Sequence, residues 1–134
     1  MARVLVDTSA IFALVDRSDA NHAAARAVLT ALQKRRAEPL LTNFIVAEAH
    51  ALLLARLGAE VARTWLLGNA WSIERATEDD EGRARAIIAR YGDKSYSYTD
   101  AISFAVMERR GLRLAFAFDP RFRQHGFQLV DADR

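Results

Sequence analysis

A chain of 134 residues with 51% hydrophobic side chains and a formal net charge of +2 has the make-up of one globular domain with a full core. That balance excludes a disordered segment and lacks the strong positive charge of a dedicated nucleic-acid binder. With no cysteine, disulfides, thiolate zinc sites and a cysteine nucleophile are also excluded.

Val4 to Val6 reads as a short buried strand. Thr8 or Ser9 is expected to cap a helix running to about Asp16. A turn at residues 18–21 precedes an alanine-rich helix from about His22 to Arg35. Leu40 to Thr42 is a second strand, and Thr42 or Asn43 caps a helix that Gly58 ends after Leu57. Another helix spans about Ala59 to Leu67, and Trp71 to Arg75 is a third strand. Thr77 and Asp80 form a capping box for a helix to about Tyr91. Residues 92–98 are a polar loop. Thr99 and Asp100 start the next helix, which Gly111 stops. Leu114 to Phe118 and Gln128 to Val130 are the last strands. Strands alternating with helices predict an α/β fold, with a short, mainly parallel central sheet flanked by helices, in one domain over 1–134.

Four acids sit against apolar sequence. Asp7 follows Val4-Leu5-Val6, Glu48 lies inside Phe44-Ile45-Val46-Ala47-Glu48-Ala49, Asp100 opens an apolar helix, and Asp119 follows Phe116-Ala117-Phe118. Carboxylates are seldom buried unless paired or holding a metal. In a parallel sheet, ligands bind beyond the carboxyl ends of the strands, where the following helices begin. Asp7 and Asp119 are expected at strand ends, and Glu48 and Asp100 near helix starts, so all four converge on one rim. Each also has a structural reading: a turn or cap for Asp7, the helix dipole for Asp100, an Asp-Pro turn for Asp119, a buried arginine partner for Glu48.

Gathered carboxylates stay ionised together only beside a cation, and an oxygen-only set favours Mg²⁺ or Mn²⁺. His22, His50 and His125 show no ligand-like spacing. Such a metal suits phosphoryl chemistry on a polyanion. Lys94, Arg121 and Arg123 flank two of the acids and are expected to bind neighbouring phosphates. Thr8 and Ser9 are placed to hydrogen-bond around Asp7, or to cap the helix. Asp93 is a further acid in an ordinary loop.

With these residues in place, the chain resembles PIN-domain ribonucleases of the VapC toxin type. The resemblance rests on Val4-Leu5-Val6-Asp7-Thr8-Ser9-Ala10, Thr42-Asn43-Phe44-Ile45-Val46-Ala47-Glu48, Tyr96-Ser97-Tyr98-Thr99-Asp100-Ala101-Ile102-Ser103 and Ala115-Phe116-Ala117-Phe118-Asp119-Pro120-Arg121-Phe122. It implies a three-layer PIN-like fold and a Mg²⁺- or Mn²⁺-dependent endoribonuclease with Asp7 and Asp100 as core metal ligands. Glu48 would bind metal or orient water, and Asp119 would complete the pocket. It also implies an RNA substrate, a homodimer and a small antitoxin protein that plugs the groove. Similar proteins often carry Thr or Ser where this chain has Ala117, which weakens the parallel at Asp119. The competing reading is a PIN-like RNA- or protein-binding module with a slow or silent site.

Trp65, Leu66, Leu67 and Trp71 are more apolar than a lone surface helix requires. They are expected to divide between the core and a dimer or partner surface. No apolar run is long enough to span a membrane, and the start lacks a signal peptide's apolar stretch, so a cytoplasmic protein without membrane contact is expected.

Overall fold

A computed structural model describes residues 2–132. Five strands, β1 (Arg3–Val6), β2 (Glu38–Thr42), β3 (Ser72–Glu74), β4 (Leu114–Phe116) and β5 (Gln128–Leu129), form one sheet in the order β3-β2-β1-β4-β5. Every pairing is parallel. Helices α1 (Thr8–Val15) and α2 (His22–Lys34) join β1 to β2, and α3 (Asn43–Leu57) and α4 (Ala59–Gly68) join β2 to β3. Helices α5 (Glu78–Arg90) and α6 (Tyr98–Arg110) lead from β3 to β4, and the short α7 (Arg121–Gln124) from β4 to β5.

The order of strands reverses between β1 and β4. The chain leaves β1 toward β2, then returns past β1 to reach β4. In an open parallel sheet that reversal opens a crevice at the carboxyl ends of the two strands. Val6 is registered with Phe116, and the Asp7 N–H donates to the Phe116 carbonyl at 2.9 Å, so both strands end at the same level.

The core explains the apolar strands. Val4, Leu5 and Val6 are buried with Leu41, Ile45, Leu53, Phe104, Phe116 and Phe122. Helix α6 is the central helix, with every residue from Asp100 to Met107 buried. Its Phe104 and Met107 join the sheet-facing core, while Ala101, Ile102 and Val106 pack with Ala84 of α5. A helix buried all round shows no amphipathic stripe, which is why its sequence reads as a continuous apolar run.

Local capping fixes where helices begin. Thr42 Oγ1 accepts from the Ile45 N–H at 3.0 Å, which starts α3 directly off β2. Between α3 and α4 the chain turns at Gly58, whose φ of +96° suits glycine. Helices α5 and α6 open with the same device, Thr77 with Asp80 and Ser97 with Asp100, each pair exchanging two hydrogen bonds.

Four expectations needed correction. The cap of α1 is Asp7, not Thr8 or Ser9. Helix α6 starts at Tyr98 with Ser97 as cap, ahead of Thr99. Strand β4 stops at Phe116, so Asp119 lies in the turn beyond it. Helix α7 was not foreseen, because four residues carry too little periodicity to reveal a helix. Trp65 and Trp71 are half-buried against the core, while Leu66 and Leu67 stay exposed, Leu67 at 71%.

Candidate active site at the carboxyl edge of the sheet

Asp7 is the innermost of the four acids, 4% exposed at the end of β1. Its cap role and its place on the rim are compatible, because one carboxyl oxygen does the capping. Oδ2 accepts from the Ser9 N–H at 3.2 Å and the Ser9 hydroxyl at 2.7 Å. Ser9 Oγ in turn accepts from the Phe118 N–H at 3.0 Å. The serine therefore ties the first βα turn to the segment after β4. Burial pushes the Asp7 carboxyl up to about 6, against the pull of Ser9, and the negative charges of Asp100 and Glu48 add to the rise.

Asp100 is buried at the start of α6. Its Oδ2 accepts from the Ser97 N–H at 2.9 Å, while the Asp100 N–H donates to Ser97 Oγ at 3.0 Å. Burial raises its pKa, opposed by Ser97, and the nearby Asp119 carboxylate raises it further. Asp7 therefore feels Asp100 and Glu48, and Asp100 feels Asp119. Acids spread over the sequence from 7 to 119 share one rim. Glu48 has no ion-pair partner among the described residues, so the buried-arginine reading of this glutamate finds no support.

Arg121 is the cation drawn to this rim. Its Nε lies 3.7 Å from Asp100 Oδ2, and its Nη1 bonds Asp119 Oδ2. The loop before α6 holds the same guanidinium, with Nε donating to the Ser95 carbonyl at 2.9 Å and Nη2 to Ser95 Oγ at 3.3 Å. Asp119 Oδ1 also accepts from the Arg121 N–H at 2.9 Å, the turn contact its sequence suggested. Lys94 stands next to Ser95, but its ammonium pairs with Asp93 at 3.7 Å on the surface. Arg123 points elsewhere: with Arg113 it lines a depression beside β5 to which none of the four acids contributes.

The donor set fits a hard cation in three respects. It is all oxygen. No ion pair among the described residues compensates Asp7 or Glu48. Two buried hydroxyls lack hydrogen-bond partners, and both neighbour core acids in sequence: Thr8 Oγ1 directly after Asp7, and Ser103 Oγ one turn after Asp100. The acids are gathered rather than closed, since no three His, Cys, Asp or Glu side chains among the described residues are arranged as a metal cage.

Sequence reading missed Ser95 and Ser97. Ser97-x-x-Asp100 repeats the capping-box pattern that identified Thr77 and Asp80, so its signal was present. Ser95 had none, because a carbonyl contact to a residue 26 positions away leaves no local pattern.

The bridging role of Ser9 gives a direct test. Ser9→Ala leaves the Phe118 N–H without its acceptor and Asp7 without its strongest hydrogen bond. We expect a loss of about 1–2 kcal/mol by urea denaturation. An NMR titration should find the Asp7 pKa above its wild-type value, because the contacts removed are those that lower it.

A parallel sheet with acids gathered at its switch point defines a small α/β domain with an acidic rim at its carboxyl edge. The chain belongs to the PIN domain family, whose pattern it matches over residues 4–128. It is 33% identical over 127 residues to the protein named 23S rRNA-specific endonuclease VapC20 of Mycobacterium tuberculosis, covering 92% of this chain and 95% of that protein. It is 28% identical over 121 residues to Ribonuclease VapC26 of the same species, covering 88% and 87%. The crystal structure of M. tuberculosis VapC20, described as a sarcin-ricin loop cleaving toxin, superposes with a TM-score of 0.86 at 32% identity, covering 96% of this chain and 98% of that one. The DNA-bound VapBC structure from Salmonella typhimurium shares the fold, with a TM-score of 0.70 at 16% identity, covering 98% and 99%.

Proposed function

We propose that this protein is a Mg²⁺- or Mn²⁺-dependent endoribonuclease, the toxin half of a toxin–antitoxin pair. The observation that carries the proposal is the buried Asp7 carboxylate crowded by Asp100 and Glu48, with Asp119 adjoining Asp100. PIN membership and the nuclease names of two relatives support RNA as the substrate class. Ribosomal RNA is the substrate to test first, because the 33% identical relative is named for it.

Asp7 and Asp100 would hold the cation most directly, with Glu48 and Asp119 completing its surroundings. A bound divalent ion supplies charge stabilisation at the scissile phosphate and a water made acidic enough to attack near neutral pH. At that pH Asp7, raised to about 6, is still mostly ionised and can serve as a carboxylate. Glu48, with no ion-pair partner among the described residues, is free to orient the attacking water. Ser9 and Ser97 fix the orientation of Asp7 and Asp100. Arg121 holds Asp100 and Asp119 and lies beside the position a substrate phosphate would take.

RNA cleavage should require Mg²⁺ or Mn²⁺, stop with EDTA, and disappear in Asp100→Asn. Cleavage that survives both EDTA and the substitution would overturn the proposal. A second readout is thermal: Mg²⁺ should raise the melting temperature of the wild-type protein, and most of that rise should be absent from Asp100→Asn. The slow or silent binding-module alternative predicts RNA affinity with no metal-dependent product.

The homodimer and the antitoxin belong to the same proposal. Exposed Leu66 and Leu67 on α4 line a depression of about 480 Å³ between α3 and α4, together with His50, Leu54 and Arg63. A partner surface is expected there. Sedimentation showing only monomer at high micromolar concentration would count against the dimer.

A further inference from the structure

Beside the acid rim, where α5 ends and α6 begins, lies a depression of about 540 Å³ lined by Arg85, Ile88, Ala89, Tyr96 and Tyr98. That is within the size range of small-ligand pockets. Tyr96 is buried and forms its floor, with its hydroxyl 3.3 Å from His125 Nδ1. Tyr98 and Ile88 are exposed at 39% and 38%. No salt bridge among the described residues engages Arg85.

Tyr98 is exposed yet held. Its ring meets Phe44 edge-on at 5.5 Å and 89°, and its hydroxyl donates to Glu81 Oε1 at 3.3 Å. A fixed, exposed aromatic ring beside an arginine is the chemistry that receives an unstacked nucleobase. Its position relative to the acids is also defined. Tyr98 stands two residues before Asp100, on another side of the same helix end. Phe44, which holds it, lies one turn before Glu48 on the same face of α3. The base of a nucleotide next to the scissile phosphate would therefore reach this depression while the phosphate stays at the acids.

We propose that the depression is a nucleobase subsite, with Tyr98 as its stacking platform and Arg85 as its cation. This rests on the RNA-cleavage reading above, and the two can fail separately.

The test starts from a ribosomal RNA fragment whose cut site has been mapped with the wild-type protein. Binding is then measured by fluorescence anisotropy in the inactive Asp100→Asn background, with single abasic nucleotides walked across the cut site. One abasic position should weaken binding roughly 5- to 150-fold, the range reported for losing one base–aromatic stack. Adding Tyr98→Leu, which keeps an apolar contact for Phe44, should weaken binding to intact RNA similarly and remove the abasic effect. Tyr98→Phe should restore it. A 2-aminopurine at the sensitive position should be quenched on binding in the Tyr98 and Tyr98→Phe proteins and not in Tyr98→Leu.

If RNA is cut but no position shows base dependence coupled to residue 98, the subsite inference is wrong and the nuclease reading stands. If Tyr98→Leu instead abolishes self-association in sedimentation and leaves base dependence unchanged, the depression is a contact between copies and the inference is again overturned. If no RNA is cut or bound, both readings fall.

Discussion

Asp7→Asn is expected to slow RNA cleavage by more than about 100-fold while making the metal-free protein more stable near neutral pH. The activity loss follows from replacing a charged candidate metal ligand, which should cost more than the roughly 10- to 100-fold typical of residues behind such ligands. The stability gain follows from burial. Asp7 titrates at about 6 in the folded protein against 3.8 for an ordinary aspartate. Below pH 3.8 both folded and unfolded forms are protonated and no penalty exists. Between these values the folded protein retains a proton that the unfolded chain has lost, so stability falls as pH rises. Above about 6 the whole penalty stands, about 3 kcal/mol at 1.36 kcal/mol per pH unit.

Asparagine carries no charge and still accepts hydrogen bonds from Ser9. The stability difference between Asp7→Asn and wild type should be near zero at pH 4 and approach 3 kcal/mol at pH 7, measured by urea denaturation in EDTA. Parallel stability profiles for the two proteins would refute this. Added Mg²⁺ should narrow the gap by stabilising the wild type alone.

The largest loss of stability is expected from Arg109→Ala. Asp80 is fully buried, and Arg109 holds it through Nε at 2.9 and 3.1 Å and Nη2 at 2.9 Å. The same Nη2 reaches Glu74 at 3.0 Å, so one side chain links α6 to α5 and to the end of β3. Burial pushes the Asp80 carboxyl up, but Arg109 and the Thr77 contacts outweigh it and hold the pKa below its ordinary value. Removing the arginine strands a buried charge, which costs about 3–5 kcal/mol. Pairing Arg109→Met with Asp80→Asn should recover much of that loss, because the charge leaves with its partner. Chemical denaturation of the three proteins measures both outcomes.

Asp80 and Asp100 show why sequence alone stops short of the site. Both are the fourth residue of a Thr/Ser-x-x-Asp box, both open a helix, and both are buried. The capping box itself does not tell them apart. The distinction lies in what arrives from elsewhere. A guanidinium 29 positions away closes around Asp80, while Asp100 meets Arg121 at 3.7 Å and the field of another acid.

The alternation of strands and helices was legible because short apolar runs and caps are local signals. The rim was legible because strand ends and helix starts fall together in a parallel sheet. The placement of Arg123 was not. It follows Arg121 by two residues, yet a four-residue helix separates their directions, and one lies at the acids while the other lies beside β5.

The bond from Phe118 to Ser9 also sets an order of events in time. During synthesis Asp7 leaves the ribosome early, but the amide that positions its serine partner comes 109 residues after that serine. Strand β4 and Asp119 lie just before and just after Phe118, so the rim cannot be complete until that stretch has emerged. A growing chain of this protein carries no assembled pocket beside the ribosome that makes it. The four acids share a rim only once the segment after β4 has docked against the first βα turn.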